Sequence, residues 1–352
     1  MKPYIRATGN ISPQKTFGHP SGLQEIVKYE GPRLRCVEPD YNSIIDVKLI
    51  RRMSRIIKMG VAAAKECLQQ AGIENPDAIV TGTAYGCLED TGIFLKKMVE
   101  QNEEMLTPTA FIQSTHNTIG AQIALLLQCH NYNNTFVHRG FSFESALKDA
   151  MMLLEEGTAN NVLAGGIDEI TDISYQVLNR FGLFKRDNIF NTDIYSLSSK
   201  GSIAGEGAGF FLLSNKDTAN NCAVLEGLHT FYKPTGQNEI EQEIHAFLSS
   251  QSLTIKDIDI VCTGKNGDSS SDSIYEQLGK TIFEKSVVTH YKYLCGEYPT
   301  STAFALWLVT LAIKNGQWPV EQTISLTQPI KRILIYNHYQ KIHHSLLLVS
   351  AC

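Results

Sequence analysis

The sequence predicts an α/β fold built from two comparable halves, residues 1–215 and 216–352. Short apolar runs of the buried-strand type alternate with amphipathic helical segments, which favours sheets covered by helices on both faces. The polar stretch Ser214–Cys222 separates two series of such units, and no Pro/Gly/Ser-rich linker or low-complexity segment divides the chain elsewhere. The similar order of elements in the two halves suggests a duplicated architecture, although no sequence repeat relates them.

The first half shows its clearest helical pattern over Ile45–Ala71, where apolar residues recur at spacings of three and four. Gly72 directly after it is a typical helix C-cap. The other elements predicted in this half are strands over Asp77–Thr83, Asn161–Gly166 and Ala208–Leu213 and helices over Thr118–Cys129 and Ser142–Glu156.

The second half repeats the alternation of strand and helix. Strands are predicted over Ala223–Leu228, Ile258–Thr263, Arg332–Tyr336 and Ser345–Val349, and helices over Glu239–Gln251, Ser271–Glu284 and Thr300–Asn315. The longest apolar stretch, Ala303–Ile313, is interrupted and falls short of the roughly 18 residues that span a bilayer, so it is interpreted as a core helix.

Composition narrows the classes of function. Apolar residues make up 43% and charged residues 19% of the 352 residues, a globular balance. The net charge of -5 supplies no cationic field for a nucleic-acid backbone, which argues against such a partner. The first residues contain no apolar signal-peptide core, and the eight cysteines show neither a CxxC pair nor a metal-ligand spacing. We therefore expect a cytoplasmic protein with reduced, mostly buried thiols and neither metal nor cofactor.

Five segments, taken in order, resemble the β-ketoacyl-acyl-carrier-protein synthases. They are LIRRMSRIIKMGVAAAKECLQQAG (49–72), AIVTGTAYG (78–86), PTAFIQSTHNTIGAQIAL (108–125), EEGTANNVLAGGIDEI (155–170) and KGSIAGEGAGFFLLSNKDTA (200–219). The last two are the most specific, and the resemblance is weaker in the second half. It implies a thiolase-like five-layered αβαβα sandwich with two central sheets and a dimer interface beside the nucleophile elbow.

The residues that carry condensation in that family are missing at the matching positions. The cysteine nucleophile falls on Gly140, the first histidine on Gly264 with Asp272 retained downstream, and the second histidine on Glu297 with Lys292 retained. The glycine-rich loop that lets backbone approach the thioester oxygen becomes NHYQKIHHSLLLV (337–349), which has no glycine. Loss of one oxyanion donor alone typically lowers a rate by about 10²–10³. The resemblance therefore implies that no catalytic residue is left.

Other polar residues near these positions have two interpretations each. His116, Asn117, His138, Phe141 and Ser142 would line the former acyl pocket or pack at a dimer interface. Ser142 lies just past the elbow and has no evident base, so serine catalysis is not favoured. The pair Lys292 and Glu297 is expected to form an ion pair in the emptied site rather than an acid/base couple. For His338, His343 and His344, a surface or loop position is favoured over a metal site or a substitute base.

The resemblance also suggests partners. An acyl carrier protein is acidic and needs a basic surface; the candidates are Arg51, Arg52, Arg55 and Lys58, which otherwise form an ordinary solvated helix face. The segment Asn134–Val137 is expected to be an edge strand that pairs across a two-fold or pseudo-two-fold axis.

These expectations lead to one preferred function and two alternatives. The chain resembles chain-length factors, which lack the cysteine and pair with an active ketosynthase in polyketide, aryl-polyene or fatty-acid-type chain elongation. One alternative is an active acyltransferase, 3-oxoacyl synthase-type or decarboxylating enzyme with altered residues. The other is a homodimeric scaffold that binds acyl carrier protein.

Overall fold

Ten strands form the framework of the computed structural model, which describes residues 2–19, 22–23, 25–320 and 328–352. The first five are β1 (Tyr4–Ile11), β2 (Ala78–Gly82), β3 (Tyr132–Phe136), β4 (Asn161–Asp168) and β5 (Gly207–Ser214). The other five are β6 (Ala223–Tyr232), β7 (Ile260–Thr263), β8 (Val287–His290), β9 (Arg332–Tyr339) and β10 (His343–Ser350). Their spatial order is β3-β2-β4-β5-β1-β6-β10-β9-β7-β8.

The two sets of strands have the same topology. In each, the order from the outer edge inward is third, second, fourth, fifth and first strand of the set. The directions match as well: β2 runs parallel to β3 and β4, as β7 does to β8 and β9, and the remaining neighbours in each set are antiparallel. The predicted duplicated architecture is confirmed. The predicted boundary between residues 215 and 216 lies between β5 and β6, and its status as a domain boundary stays a prediction.

A short contact joins the two sets. Tyr4 pairs with Val224 and Ile5 with Ala223, so β1 and β6 share hydrogen bonds over two residue pairs. Within the described residues, the strands therefore form one continuous ten-stranded sheet. The expectation of two separate central sheets is therefore corrected. The innermost strands of the two five-stranded sets, β1 and β6, pair with each other and link the sets.

Eleven α-helices are present in the described part of the chain. They are α1 (Val47–Ile50), α2 (Arg55–Ala71), α3 (Leu88–Glu100), α4 (Pro108–Gln113), α5 (Thr118–Leu127), α6 (Ser142–Glu155), α7 (Asp172–Arg180), α8 (Gln237–Ser250), α9 (Ser273–Lys280), α10 (Lys292–Cys295) and α11 (Thr302–Asn315).

Three hydrophobic clusters define five layers. The largest contains α6, α11 and inward-facing residues of both strand sets, so these two helices lie between the sets. A second cluster joins α2 and α5 to the other face of the first set, and a third joins α8 and α9 to the other face of the second set. Alternation along β5 shows the principle, since Phe211 and Leu213 face the central layer while Phe210 and Leu212 face α2. The αβαβα order implied by the resemblance is confirmed.

Two elements of the first half differ from the sequence prediction. The helix predicted over Ile45–Ala71 is broken, because α1 ends at Ile50 and Ser54, in extended conformation, begins α2. Gly72 caps α2 in the left-handed conformation (φ 65°), as predicted.

Strand β1 was not predicted from the sequence, since polar residues and glycine interrupt its apolar pattern. A β-carbon at its Gly9 would collide with the Ala63 carbonyl, so glycine there lets α2 approach the strand.

The C-terminal segment compared with the shortened glycine-rich loop, residues 337–349, lies in a β-hairpin whose two strands extend the predicted strands 332–336 and 345–349. Strand β9 continues to Tyr339 and β10 starts at His343, and all its residues up to Ser350 are buried. The expected surface or loop position is therefore wrong for His338, His343 and His344. They are buried because they lie in the paired strands β9 and β10.

The cysteines and helices agree with a reduced protein without a helical membrane span. All eight cysteines are free thiols, and six of them are buried. Among the helices of the described residues, none combines the length and the apolar character needed to cross a bilayer.

Candidate functional site

Gly140 lies at a turn between a strand and a helix, as predicted. Strand β3 ends at Phe136, a 3-10 turn covers Arg139–Phe141, and α6 begins at Ser142. Arg139 adopts a positive φ of 47°, an unusual conformation for a residue other than glycine. The chain thus makes a sharp elbow at the position where the resemblance requires the nucleophile.

The space beside Gly140 is filled by the β9–β10 hairpin. A β-carbon at residue 140 would lie 2.6 Å from Cβ of Tyr339 and 3.0 Å from Cβ of His343. The ring of His343 also contacts that of Phe141 edge-on, with centroids 4.7 Å apart. A nucleophilic side chain therefore has no room here unless the hairpin moves.

The hydroxyl of Ser142 is engaged in the turn. Its Oγ accepts a hydrogen bond from the His138 N–H at 2.8 Å and donates to the Arg139 carbonyl at 2.8 Å. The side chain is fully buried. These contacts assign Ser142 a structural role at the start of α6.

Gly264, at the end of β7, is filled in the same way. A β-carbon there would overlap Oδ1 of Asn337 and lie 2.9 Å from the Tyr275 hydroxyl. The amide of Asn337 donates through Nδ2 to Oγ1 of Thr302 at 3.0 Å, which holds the side chain in place. The space beside Gly264, where the resemblance places the first histidine, is thus occupied by Asn337 of β9.

Lys292 and Glu297 form the predicted ion pair. Lys292 Nζ lies 2.6 Å from Glu297 Oε2, and the two side chains are 1% and 11% exposed. Asn266 Nδ2 donates to the same oxygen at 2.5 Å. The other oxygen of Glu297, Oε1, is buried without a hydrogen-bond partner.

A buried carboxyl group behind the elbow was missed by the sequence analysis. Glu144 lies one turn of α6 after Gly140 and is 1% exposed. Burial raises its pKa to about 7, against the opposing effect of the Thr302 and Ser345 hydroxyls. Its two oxygens lack a hydrogen-bond partner of good geometry. The signal was an acidic residue on the apolar face of a predicted helix.

A pocket of about 240 Å³ opens in front of the hairpin. Tyr85 and Tyr339 line it, and their hydroxyls lie 3.3 Å apart. Asp168 also lines it; burial raises its pKa to about 6, although Thr83, Ala84 and Thr300 donate to its carboxylate. The Tyr85–Tyr339 pair therefore separates the pocket from Gly140.

The remaining candidates for the acyl pocket are divided between surface and interior. His116 and Asn117 are exposed at the start of α5, and neither lines the pocket in front of Tyr339. His138 is exposed as well, with its ring edge-on to that of Phe141 at 5.6 Å. Only Phe141 and Ser142 are buried. His116 and Asn117 thus lie on the surface and outside the pocket in front of Tyr339, and their assignment to an acyl pocket or a dimer interface stays a prediction.

One of the proposed carrier-binding residues is committed to internal contacts. The guanidinium of Arg55 binds Glu206 through two hydrogen bonds of 2.7 and 2.6 Å and Glu38 through one of 2.5 Å. Arg51 and Arg52 are exposed in the turn before α2, and Lys58 is half-buried. The basic cluster therefore needs correction, since the charge of Arg55 is neutralised inside the protein.

The histidines of the hairpin form an aromatic layer. The ring of His338 stacks on Tyr275 with centroids 4.8 Å apart, and Nδ1 of His344 lies 2.9 Å from the Tyr336 hydroxyl. Burial lowers the pKa of His344 to about 4 and lowers that of His338 as well. Among the residues that the structure describes, no group of three or more His, Cys, Asp or Glu residues could hold a metal ion.

Comparison with known proteins gives consistent matches. Residues 34–219 match the family of the β-ketoacyl synthase N-terminal domain. The 3-oxoacyl-[acyl-carrier-protein] synthase 2 of Staphylococcus aureus (strain N315) is 21% identical over 187 residues, which are 50% of this chain. The match spans 44% of that relative, less than half of its length.

Solved structures match over the full length. The ishigamide ketosynthase/chain length factor superposes with a TM-score of 0.81 at 15% identity, covering 100% of this chain and 99% of the other. A type II polyketide synthase acyl-carrier protein in complex with its ketosynthase bound to the hexaketide, AntDE:AntF, contains a chain that matches with a TM-score of 0.78 at 12% identity. That match covers 100% of this chain and 99% of the other. At these identities, the matches establish the thiolase-like fold.

Proposed function

Because this chain belongs to the β-ketoacyl synthase family, we propose that it is a non-catalytic, chain-length-factor-like subunit that pairs with an active ketosynthase. The observation that carries this proposal is the state of Gly140. The nucleophile position has no side chain, and Tyr339 and His343 occupy the space that one would need. Gly264 and Glu297 stand where the two histidines are expected, so the chemistry of condensation has to come from a partner.

The free edge of the sheet supports pairing with another subunit. Among the described residues, β3 pairs on one side with β2 and has no neighbour on the other. Exposed apolar side chains lie on and beside it, namely Tyr132, Val137 and Leu125. Such an edge favours aggregation unless it is covered. A permanent interface here is expected to bury more than about 2,000 Å².

A groove next to the pocket supports a role in accommodating an acyl chain. It lies between α3 and α7, measures about 690 Å³ and is lined by apolar residues such as Ile93, Leu95, Ile173 and Val177. The groove and the pocket share Tyr85 and Leu88 in their linings, so the two are adjacent. A partner that covers α3 would close this groove into a tunnel.

The proposed carrier partner is an acyl carrier protein acting with the ketosynthase. The AntDE:AntF complex contains such a carrier with its ketosynthase. In this chain, the exposed Arg51 and Arg52 remain the proposed contacts, with Lys58 beside them and Arg55 excluded by its ion pairs.

Co-expression with a cysteine-bearing ketosynthase from the same locus tests the proposal. The expected result is a heterodimer whose condensing activity neither chain shows alone. A stable monomer at micromolar concentration, or a ketosynthase fully active without this chain, would refute it. Turnover of malonyl-carrier protein by this chain alone would favour the enzyme with altered residues, and an inactive homodimer would favour the carrier-binding scaffold.

A further inference from the structure

Four carboxylates line the pocket in front of Tyr339, and not all of their oxygens accept a hydrogen bond from the protein. Its lining contains the carboxylates of Asp168, Glu169, Asp268 and Glu297. Asp168 is saturated, because one oxygen accepts from Thr83 and Ala84 and the other from the Thr300 N–H and hydroxyl. Asp268 is saturated as well, with donors from Gly201, Ser270 and Ser271 on its two oxygens. These two carboxylates serve the fold.

Glu169 and Glu297 are not saturated. Glu169 is 6% exposed; its Oε1 accepts from the Glu89 N–H at 3.1 Å, and within the described residues no donor contacts its Oε2 and no cation pairs with it. Glu297 uses Oε2 for Lys292 and Asn266, and its Oε1 has no partner. Because Oε1 of Glu297 is itself buried from solvent, Oε2 of Glu169 is the acceptor without a protein donor that remains for a ligand.

Within the described residues, no side-chain cation forms an ion pair with Glu169. Lys292 neutralises Glu297, and Arg55, whose charge acts on Glu169, is bound to Glu206 and Glu38. Lys341 is exposed at the rim and donates to the Ser270 carbonyl at 3.1 Å. Uncompensated carboxylates in a partly buried space are unfavourable without a counter-charge.

Aromatic side chains form the walls around this acceptor. Tyr85, Tyr298, Tyr339 and Phe184 all line the pocket. Aromatic faces attract cations, and carboxylates accept the hydrogen bonds of an ammonium group. We propose that this pocket binds a small primary ammonium group, held by the carboxylate of Glu169. A pocket of about 240 Å³ suits a short alkylammonium ion or the amino end of a larger ligand.

A site that binds an ammonium ion has the opposite charge preference to the anion-stabilising site that condensation needs at this position. Stabilising an oxyanion or a malonyl carboxylate requires hydrogen-bond donors, whereas the unpartnered carboxylate oxygen of Glu169 is an acceptor. The inference depends on the contents of the pocket alone and stands whether or not the chain pairs with a ketosynthase. It predicts that an amine-bearing ligand is preferred to an anionic one of the same size.

Three isosteric probes test the proposal with the full chain. Titration calorimetry at pH 8 and constant ionic strength would compare n-butylammonium, 1-butanol and butanoate. We expect measurable binding of the ammonium ion alone, weakened at least tenfold in Glu169→Gln. The control Glu284→Gln changes an exposed glutamate in the turn after α9 and should bind as the wild type does. Equal binding of the three probes, preference for butanoate, or unchanged affinity in Glu169→Gln would overturn the proposal.

A pH series on the wild type provides a second readout that does not depend on a variant folding. Burial raises the pKa of Glu169 to about 7, with Glu89, Arg55 and Glu206 as the charged groups around it. An alkylammonium ion keeps its charge up to about pH 10. Affinity should therefore fall as the pH is lowered through about 7, and a pH-independent affinity between 6 and 8 would also contradict the proposal.

Discussion

Asn337 and Tyr339 lie two residues apart on β9 and occupy the side-chain space of Gly264 and Gly140, respectively. Because alternate residues of a strand face the same side, a single strand face fills the two positions to which the resemblance assigns the nucleophile and the first histidine. The hairpin and the two glycines are therefore parts of one arrangement. Changing either glycine has consequences for β9.

The first prediction concerns Gly140→Cys. The new β-carbon would lie 2.6 Å from Cβ of Tyr339, so we expect the free energy of unfolding to fall by about 1–3 kcal/mol, as is typical of overpacking. Gly140→Cys combined with Tyr339→Gly should recover part of this loss. Denaturant unfolding measures both. The control Gly279→Cys has open space around it and should not be destabilised. Wild-type stability of the first variant would show that the hairpin yields easily.

The second prediction is that the isolated chain forms no covalent acyl-enzyme. No cysteine stands at the elbow, and burial raises the pKa of Cys36, Cys67, Cys262 and Cys295, which keeps these thiols protonated and unreactive. Incubation with an acyl-carrier thioester should leave the intact mass unchanged. A cysteine-bearing ketosynthase in the same assay should gain the acyl mass. A stoichiometric adduct on Ser142 or on any cysteine would contradict this expectation.

The third prediction concerns the Lys292–Glu297 pair. Glu297→Leu leaves the buried ammonium of Lys292 without its carboxylate, and such a break typically costs about 3–5 kcal/mol. The double variant Lys292→Met/Glu297→Leu removes both charges and should be clearly more stable than Glu297→Leu. Glu276→Leu breaks the more exposed pair with Lys265 and should change the stability by about 1 kcal/mol or less. Additive effects of the two changes at 292 and 297 would exclude a coupled pair.

The fourth prediction is a pH dependence caused by Glu144. Burial raises its pKa from 4.5 to about 7, so the folded state binds this proton more tightly than the unfolded state. The contribution to stability is complete below about pH 4.5 and is lost as the pH rises through about 7. Glu144→Gln removes this loss, and its stability relative to the wild type should increase between pH 4.5 and 8. Parallel stability curves of the two proteins, measured by urea unfolding, would refute the assignment.

The sequence predicted the architecture of the fold more completely than it predicted the candidate functional site. The ordered motifs around Gly165 and Gly207 and the alternation of elements were sufficient for the layers, the duplicated topology and the elbow before Ser142. Both strands of the hairpin were predicted, over residues 332–336 and 345–349. Their extension and pairing across residues 337–344 were not, because this segment was compared with a glycine-rich loop and a strand pairing depends on distant residues. Arg55 was assigned to the surface for a similar reason, since its partner Glu206 is 151 residues away. Helical spacing contains no information about such a contact.

Helix α11 has a consequence for how the protein unfolds. It belongs to the second half of the chain, yet every residue from Thr302 to Ile313 is buried, and it packs between the strands of both halves. Removing either half would expose one side of a helix that has no polar face. The duplicated halves therefore depend on a shared interior, and we expect them to lose structure together, as one cooperative unit, rather than as two domains that melt in sequence.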